Sequence, residues 1–380
     1  MTEIRQPIRY GMVGGGLGGF IGGVHRIAAA MDGEFRLVAG ALSSNPEVAH
    51  ASACQLGLPA DRSYADYRRM AAVESEREDG MQAVVIVTPN HLHAEQAKAF
   101  LAAGIHVICD KPLTATLDQA LELYRVAKRS DRIFAVTYCY TGYPMVREAR
   151  QRIRDGEIGA LRLIDVEYPQ GWLATALEET GDKKASWRTD PLQSGPGGCV
   201  ADIGTHAYHM ARFVSGDAVE SVSAQLTRFS PGRRVDDDVQ ARLRFAGGAQ
   251  GMLWASQVAV GHENGLKFRI YGESGSLEWV QADPTYLWKS TLDGPRQLLT
   301  RAGAGVGNGS LRHCRTAAGH PEGYLEAFAT IYTEAAEWIR AGEATAENLC
   351  PGIEDGLEGM RFIDACIASS NQDGAWTDLG

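Results

Sequence analysis

The chain has 380 residues, 44% hydrophobic and 22% charged, which suits two domains with ordinary buried cores and excludes disordered or collagen-like chains. With 47 acidic residues against 37 Lys and Arg, the net charge is −10, which argues against nucleic acid or an anionic membrane as the main partner. The seven cysteines form no C-x-x-C pair, residues 1–10 carry Arg5 and Arg9 but no apolar signal run, and no window is apolar enough to span a bilayer, so a reducing, cytoplasmic location is expected.

Residues 8–13 read as a short buried strand that runs into Gly14-Gly15-Gly16-Leu17-Gly18-Gly19, with helical spacing from Phe20 to Met31. Strand, glycine turn and helix are the context that gives a G-x-G-x-x-G match meaning. Gly14 permits the tight turn, Gly16 lets the backbone approach a pyrophosphate, and Gly19 is expected to allow close helix–strand packing. Further strands are predicted at 35–42, 83–88, 105–109 and 133–137, with helices at 46–56, 64–73, 92–103 and 117–129. This alternation predicts a doubly wound parallel sheet with its ligand crevice at the carboxyl ends of the strands. Those ends carry Thr88-Pro89-Asn90-His91-Leu92-His93 and Cys109-Asp110-Lys111-Pro112. A lysine between a buried strand and a proline points to chemistry, although a turn lysine paired with Asp110 is the plainer reading. The second strand ends in Ser43-Ser44, with Ser43 where an acid would hold an adenosine ribose. With neither that acid nor a neighbouring cation for a 2′-phosphate, NAD is favoured over NADP without a strict choice.

After residue 155, β-patterned runs and glycine turns dominate. Val239, Ala241, Leu243 and Phe245 alternate with polar residues, as do Leu266, Phe268 and Ile270, and runs at 161–168, 219–229, 249–258 and 276–280 belong to the same sheet. Leu325, Phe328, Tyr332, Ala335 and Ile339 mark an amphipathic helix, 352–368 a last helix packing back on the first domain, and 295–320 a long loop. The division expected is a dinucleotide-binding domain over 1–136 and a substrate-binding and oligomerisation domain over 137–380.

Gly197-Gly198-Cys199-Val200-Ala201-Asp202-Ile203-Gly204-Thr205-His206 stands out chemically. With a helix starting near Asp202, Asp202 and His206 share one face, and a carboxylate beside an imidazole suits acid–base work near neutral pH. The alternative makes Asp202 an N-cap and His206 a core residue. Adding His209 still leaves too few ligands, so no metal is expected. Upstream, Lys183, Lys184, Trp187 and Arg188 could bind a sugar face and an acidic substituent, or form a solvated loop. Tyr138, Tyr140 and Tyr143 could line a cleft or pack the domain junction.

Taken together, Gly14–Gly19, Thr88-Pro89-Asn90-x-x-His93, Asp110-Lys111-Pro112 and Asp202-x-Gly204-Thr205-His206 resemble, in order, the motifs of the Gfo/Idh/MocA oxidoreductases. Asp110 stands where that family usually has Glu, and Ser43 where it has an acid. The resemblance implies an α/β fold: a Rossmann domain, then an α/β domain with a large open, mostly antiparallel sheet that commonly forms homodimer or homotetramer contacts. It implies NAD held by Gly14, Gly16, Leu17, Gly19, Ser43, Ser44, Thr88, Asn90, His93, Asp110 and Lys111. It also implies Lys111 on the reacting hydroxyl, His206 as acid–base, and Asp202 on a neighbouring hydroxyl. Tyr138, Tyr140, Lys183, Lys184, Trp187 and Arg188 join Asp202 and His206 as expected substrate contacts. The expected reaction is hydride transfer from a secondary alcohol of a sugar or cyclic polyol. The alternative is an NAD-dependent glycosidase that oxidises, eliminates, hydrates and re-reduces, with Tyr138, Tyr140 or His206 as the extra base.

Overall fold

The computed structural model describes residues 6–380, so the first five residues of the expected nucleotide domain, Arg5 among them, lie outside the described residues. The chain forms two compact units. The first runs to Thr114 and adds Asp118–Tyr138 and Phe328–Leu357; the second holds Ala115–Leu117, Cys139–Ala327 and Glu358–Gly380.

In the first unit, β1 (Ile8–Gly14), β2 (Phe35–Ala41), β3 (Ala83–Val87), β4 (His106–Cys109) and β5 (Phe134–Val136) form a wholly parallel sheet in the order β2-β1-β3-β4-β5. All five residues of β3 are buried, as expected for an apolar strand covered on both faces. The order reverses between β1 and β3, which puts a ligand crevice at their carboxyl ends. Helices Phe20–Met31, Pro46–Gln55, Asn90–Ala102 and Leu117–Arg129 fall close to expectation. The helix expected at 64–73 instead spans Tyr67–Glu76, because the Asp66 side chain accepts the Arg69 N–H at 2.9 Å and fixes the start there.

Residues 328–357 group with this unit, where a single division at 136/137 assigns them to the second. Helix Tyr324–Ala341 sets Phe328 against His25 (ring centroids 4.7 Å) and Tyr332 against Phe35 (5.4 Å), and Gly352 bridges Ala135 on β5. Its apolar stripe shows that one face is buried but not which sheet buries it.

The second unit is built on nine strands: β6 (Leu161–Pro169), β7 (Val219–Thr227), β8 (Asp238–Phe245), β9 (Gln250–Ser256), β10 (Lys267–Gly272), β11 (Gly275–Val280), β12 (Tyr286–Thr291), β13 (Gln297–Thr300) and β14 (Thr377–Asp378). Their order is β13-β12-β11-β10-β6-β9-β8-β7-β14, with β6–β9 the parallel pair and the other neighbours antiparallel. Val239, Ala241, Leu243 and Phe245 face inward as their alternation requires. Helices Pro144–Arg154 and Thr205–Ser215 pack within this unit, and Phe362 stacks on Tyr208 at 4.3 Å. The region expected as one loop, 295–320, contains β13 and the short helix Asn308–Leu311. The edge strand β13 and its neighbour β12 are half exposed, so they lack the apolar alternation that marks the inner strands.

Candidate active site

The first unit offers a dinucleotide cradle. Gly14 and Gly15 turn at φ of 80° and 69°, and a Cβ on Gly16 would lie 2.7 Å from both the Leu42 carbonyl oxygen and Ser52 Oγ. Ser52 accepts the Leu17 N–H at 2.9 Å and donates to the Val48 carbonyl at 2.6 Å, which pins the loop. Helix Phe20–Met31 begins at Gly19 without a side-chain cap, and Leu17 and Phe20 are 50% and 72% exposed. Its first-turn N–H groups therefore lie at an open helix end, the geometry a pyrophosphate fits. Close helix–strand packing falls on Gly22 rather than Gly19. A Cβ on Gly22 would lie 2.4 Å from Gly15 Cα, whereas one on Gly19 meets nothing nearer than the Gly16 oxygen at 3.1 Å.

At the end of β2, Ser43 Oγ accepts the Asn45 N–H at 3.1 Å, and Asn45 in turn caps helix Pro46–Gln55, leaving Ser44 exposed beside it. Beyond β3, Thr88 donates its hydroxyl to Gln96 at 2.7 Å, and Asn90, 5% exposed, opens helix Asn90–Ala102. His93 has no exposed surface. Its ring nitrogens lie 2.7 Å from the Thr88 carbonyl oxygen and 3.1 Å from that of Pro112, and burial lowers its pKa. It braces the loops after β3 and β4 instead of standing open to a ribose. Asp110 Oδ1 accepts the Lys111 N–H at 2.8 Å and the Thr137 hydroxyl at 3.0 Å, and the Lys111–Pro112 peptide is cis. The two hydrogen bonds to Asp110 fix the backbone that presents Lys111, partly buried, at the end of β4. Tyr138, expected on the substrate, is 1% exposed in the packed interior.

The second unit carries the other candidates. Helical winding starts before Asp202: Val200–Gly204 is a π turn that continues into the α-helix Thr205–Ser215. Asp202 is therefore not an N-cap. The start of the segment is anchored by Asp236, whose carboxylate accepts the Gly198 and Val200 N–H groups at 2.6 and 2.7 Å. Such π turns inside helices recur at functional sites. Asp202 Oδ2 accepts from Gln257 Nε2 at 2.8 Å and lies 3.4 Å from Arg188 Nε. His206, 6% exposed, meets Tyr140 edge-on with ring centroids 4.8 Å apart. Behind it, the Tyr140 and Tyr168 hydroxyls bond each other, Tyr168 donates to Asn264 at 2.7 Å, Asn264 to Gln281 at 2.9 Å, and Gln281 to Tyr143 at 3.2 Å. Burial pushes the Tyr140, Tyr143 and Tyr168 phenols well above their usual range.

The segment 183–188 forms a helix, Lys183–Arg188, rather than the solvated loop that was one of its two readings, capped by Asp182 at 2.8 Å from the Ala185 N–H. Lys184 sits over Trp172 at 4.1 Å and Arg188 over Trp187 at 4.2 Å, while Lys183 is exposed. Asp236, Gln257, Asn264, Gln281 and Tyr168 escape sequence reading. Asp236-Asp237-Asp238 looks like a solvated turn, yet the three are 5%, 0% and 4% exposed. Three adjacent acids at the start of an apolar alternating run were the available signal.

A glycine cradle at the switch point of a parallel sheet, with an acid–imidazole pair in a second sheet unit, defines a nicotinamide-dependent oxidoreductase. The chain belongs to the Gfo/Idh/MocA family. Residues 8–138 match the oxidoreductase family's NAD-binding Rossmann fold, and residues 146–278 match the GFO/IDH/MocA C-terminal domain. It is 35% identical over 384 residues to "Uncharacterized oxidoreductase YfiI" of Bacillus subtilis (strain 168), covering 99% of this chain and 98% of that one. An oxidoreductase from Sinorhizobium meliloti shares 51% identity at a TM-score of 0.90, over 98% of this chain and 99% of that one. An inositol dehydrogenase homolog from Azotobacter vinelandii, complexed with NADH and myo-inositol, shares 35% identity at a TM-score of 0.92, over 98% of each chain.

Proposed function

We propose that the protein oxidises a secondary alcohol of a neutral cyclic polyol or sugar with NAD. The observation that carries this reading is the hydrogen-bonding wall around Asp202 and His206: a carboxylate held by Gln257 and Arg188, and an imidazole set against hydrogen-bonded tyrosines. Likeness to the Azotobacter vinelandii protein bound to NADH and myo-inositol supports the substrate class. NAD, when bound, supplies the hydride acceptor. Gly14, Gly16, Leu17 and Gly19 would hold its pyrophosphate, with Ser43 and Ser44 toward the ribose and Thr88, Asn90 and Asp110 shaping the loops that follow. Lys111 would donate to the reacting hydroxyl and make its deprotonation easier. His206 would take the proton, and Asp202 would hold the adjacent hydroxyl. The glycosidase alternative needs a further base. Of the candidates for it, Tyr140 has its phenol pushed up by burial and Tyr138 is 1% exposed, so His206 alone would have to serve both as acid–base and as the extra base, which favours the dehydrogenase. We also place homo-oligomer contacts on the open sheet face, where Met252 is 61% and Leu163 54% exposed. Among the described residues no helix is long and apolar enough to cross a membrane.

The test is reduced-nicotinamide formation with NAD and NADP across sugars, inositols and aryl glycosides, with aglycone release followed in parallel. Accumulating reduced cofactor is expected. Aglycone release without net reduction would establish the glycosidase instead. Lys111→Ala and His206→Ala should each abolish turnover while NADH still binds, and full activity in either removes that residue from the catalytic set.

A further inference from the structure

The proposed function leaves open how the second unit chooses its substrate, and the cations of 183–188 offer an answer. Lys184 is spent on the face of Trp172, with Nζ 4.1 Å from the ring centroid. The Arg188 guanidinium lies 4.2 Å over Trp187, and its Nε, 3.4 Å from Asp202 Oδ2, is buried without a hydrogen-bond partner. Both side chains remain about one fifth open, at 21% and 20% exposed.

Resting on that function, we propose that Arg188 is a specificity-determining residue. With Asp202 it reads two adjacent hydroxyls of a neutral ring: the guanidinium donates to their oxygens, and the carboxylate accepts hydrogen bonds from their O–H groups. The chemistry fits. A guanidinium carries five donors in a planar fork and a carboxylate about four acceptor positions, so each can bind a hydroxyl beside its protein partners. Each hydroxyl of a diol both accepts and donates, matching a donor group set beside an acceptor group. The charges also fit. Arg188 and Asp202 cancel, so an acidic substituent brought to Arg188 would meet the Asp202 carboxylate as well, and Lys184 is already committed to Trp172.

Wild type, Arg188→Met and Arg188→Lys are compared, after melting curves confirm folding, with NAD and each of myo-inositol, D-glucose and D-glucuronate. The best neutral substrate is then compared with its analogue lacking the hydroxyl beside the oxidised carbon. The neutral rings should outrun the acid. Arg188→Met should raise KM for the parent by about tenfold or more, with a much smaller change for the deoxy analogue, and Arg188→Lys should fall between. Equal KM changes for parent and analogue overturn the proposal, as does a preference for glucuronate that Arg188→Met abolishes. Wild type that binds NADH but reduces no NAD with any of the three overturns the dehydrogenase reading itself. Turnover indifferent to Arg188 overturns this inference alone.

Discussion

Asp236 helps to decide where Asp202 and His206 stand by gripping the Gly198 and Val200 amides at the start of their segment. Burial raises its pKa from 3.8 to about 6, so the folded chain holds this proton more tightly than the unfolded one. Its contribution to stability is then complete below about pH 4 and lost as pH rises toward 6, a change of about 3 kcal/mol. An asparagine does not titrate and keeps one acceptor oxygen of two. Asp236→Asn should therefore compare worst with wild type near pH 4 and gain about 3 kcal/mol on it by neutral pH, as read from urea unfolding. A gap constant with pH would remove Asp236 as the titrating group. At neutral pH the lost amide bond should still cost on the order of tenfold in kcat/KM through misplacement of the segment. Lys111, Asp202 and His206 could be proposed from the sequence because each sits in a short local motif. Asp236 was not, since its partners lie 36 and 38 residues away.

At the scale of elements, the first sheet was almost wholly legible, because buried parallel strands read as apolar runs and the helices between them carry clear periodicity. What misled was detail set by three-dimensional neighbours. The π turn at Val200–Gly204 leaves no mark on periodicity, and the packing glycine proved to be the one facing Gly15. That distinction is testable within one helix. A methyl on Gly22 would collide with Gly15 Cα and carbonyl oxygen at 2.4 and 2.5 Å, forcing the helix off the nucleotide loop. The same methyl on Gly23 meets only the tip of Arg26, at 4.0 Å. Gly22→Ala should lose about 1–3 kcal/mol of stability and weaken NADH binding. Gly23→Ala should leave binding intact and raise stability by about 0.5–1 kcal/mol through helix propensity. Thermal melts and NADH fluorescence titrations of the pair separate packing from propensity, and equal behaviour of the two would contradict the assigned contact.

For the whole molecule, the lesson of residues 328–357 is that chain order does not fix unit membership. The stripe of helix Tyr324–Ala341 was readable, but its partner, the His25–Phe35 region some 300 residues earlier, was not. His25 makes this long-range closure sensitive to acid. It has no exposed surface, its Nδ1 lies 2.7 Å from the Tyr332 hydroxyl, and burial lowers its pKa from 6.5 to about 4. Below pH 6.5 the unfolded chain takes up a proton that the folded chain refuses. The neutral ring's contribution is thus complete above that pH and lost as pH falls through 4, about 3 kcal/mol in all. His25→Gln keeps a group able to bond Tyr332 but does not titrate. Its stability should lie below wild type at neutral pH and close by about 3 kcal/mol toward it as pH drops to about 4, the reverse of the packing-only expectation of a constant deficit. Urea unfolding of both proteins across that range, with the slope against pH as the observable, distinguishes the two. Because Asp236 titrates with the opposite sign, His25→Gln and Asp236→Asn should tilt the pH profile in opposite directions, and a common tilt would refute both assignments.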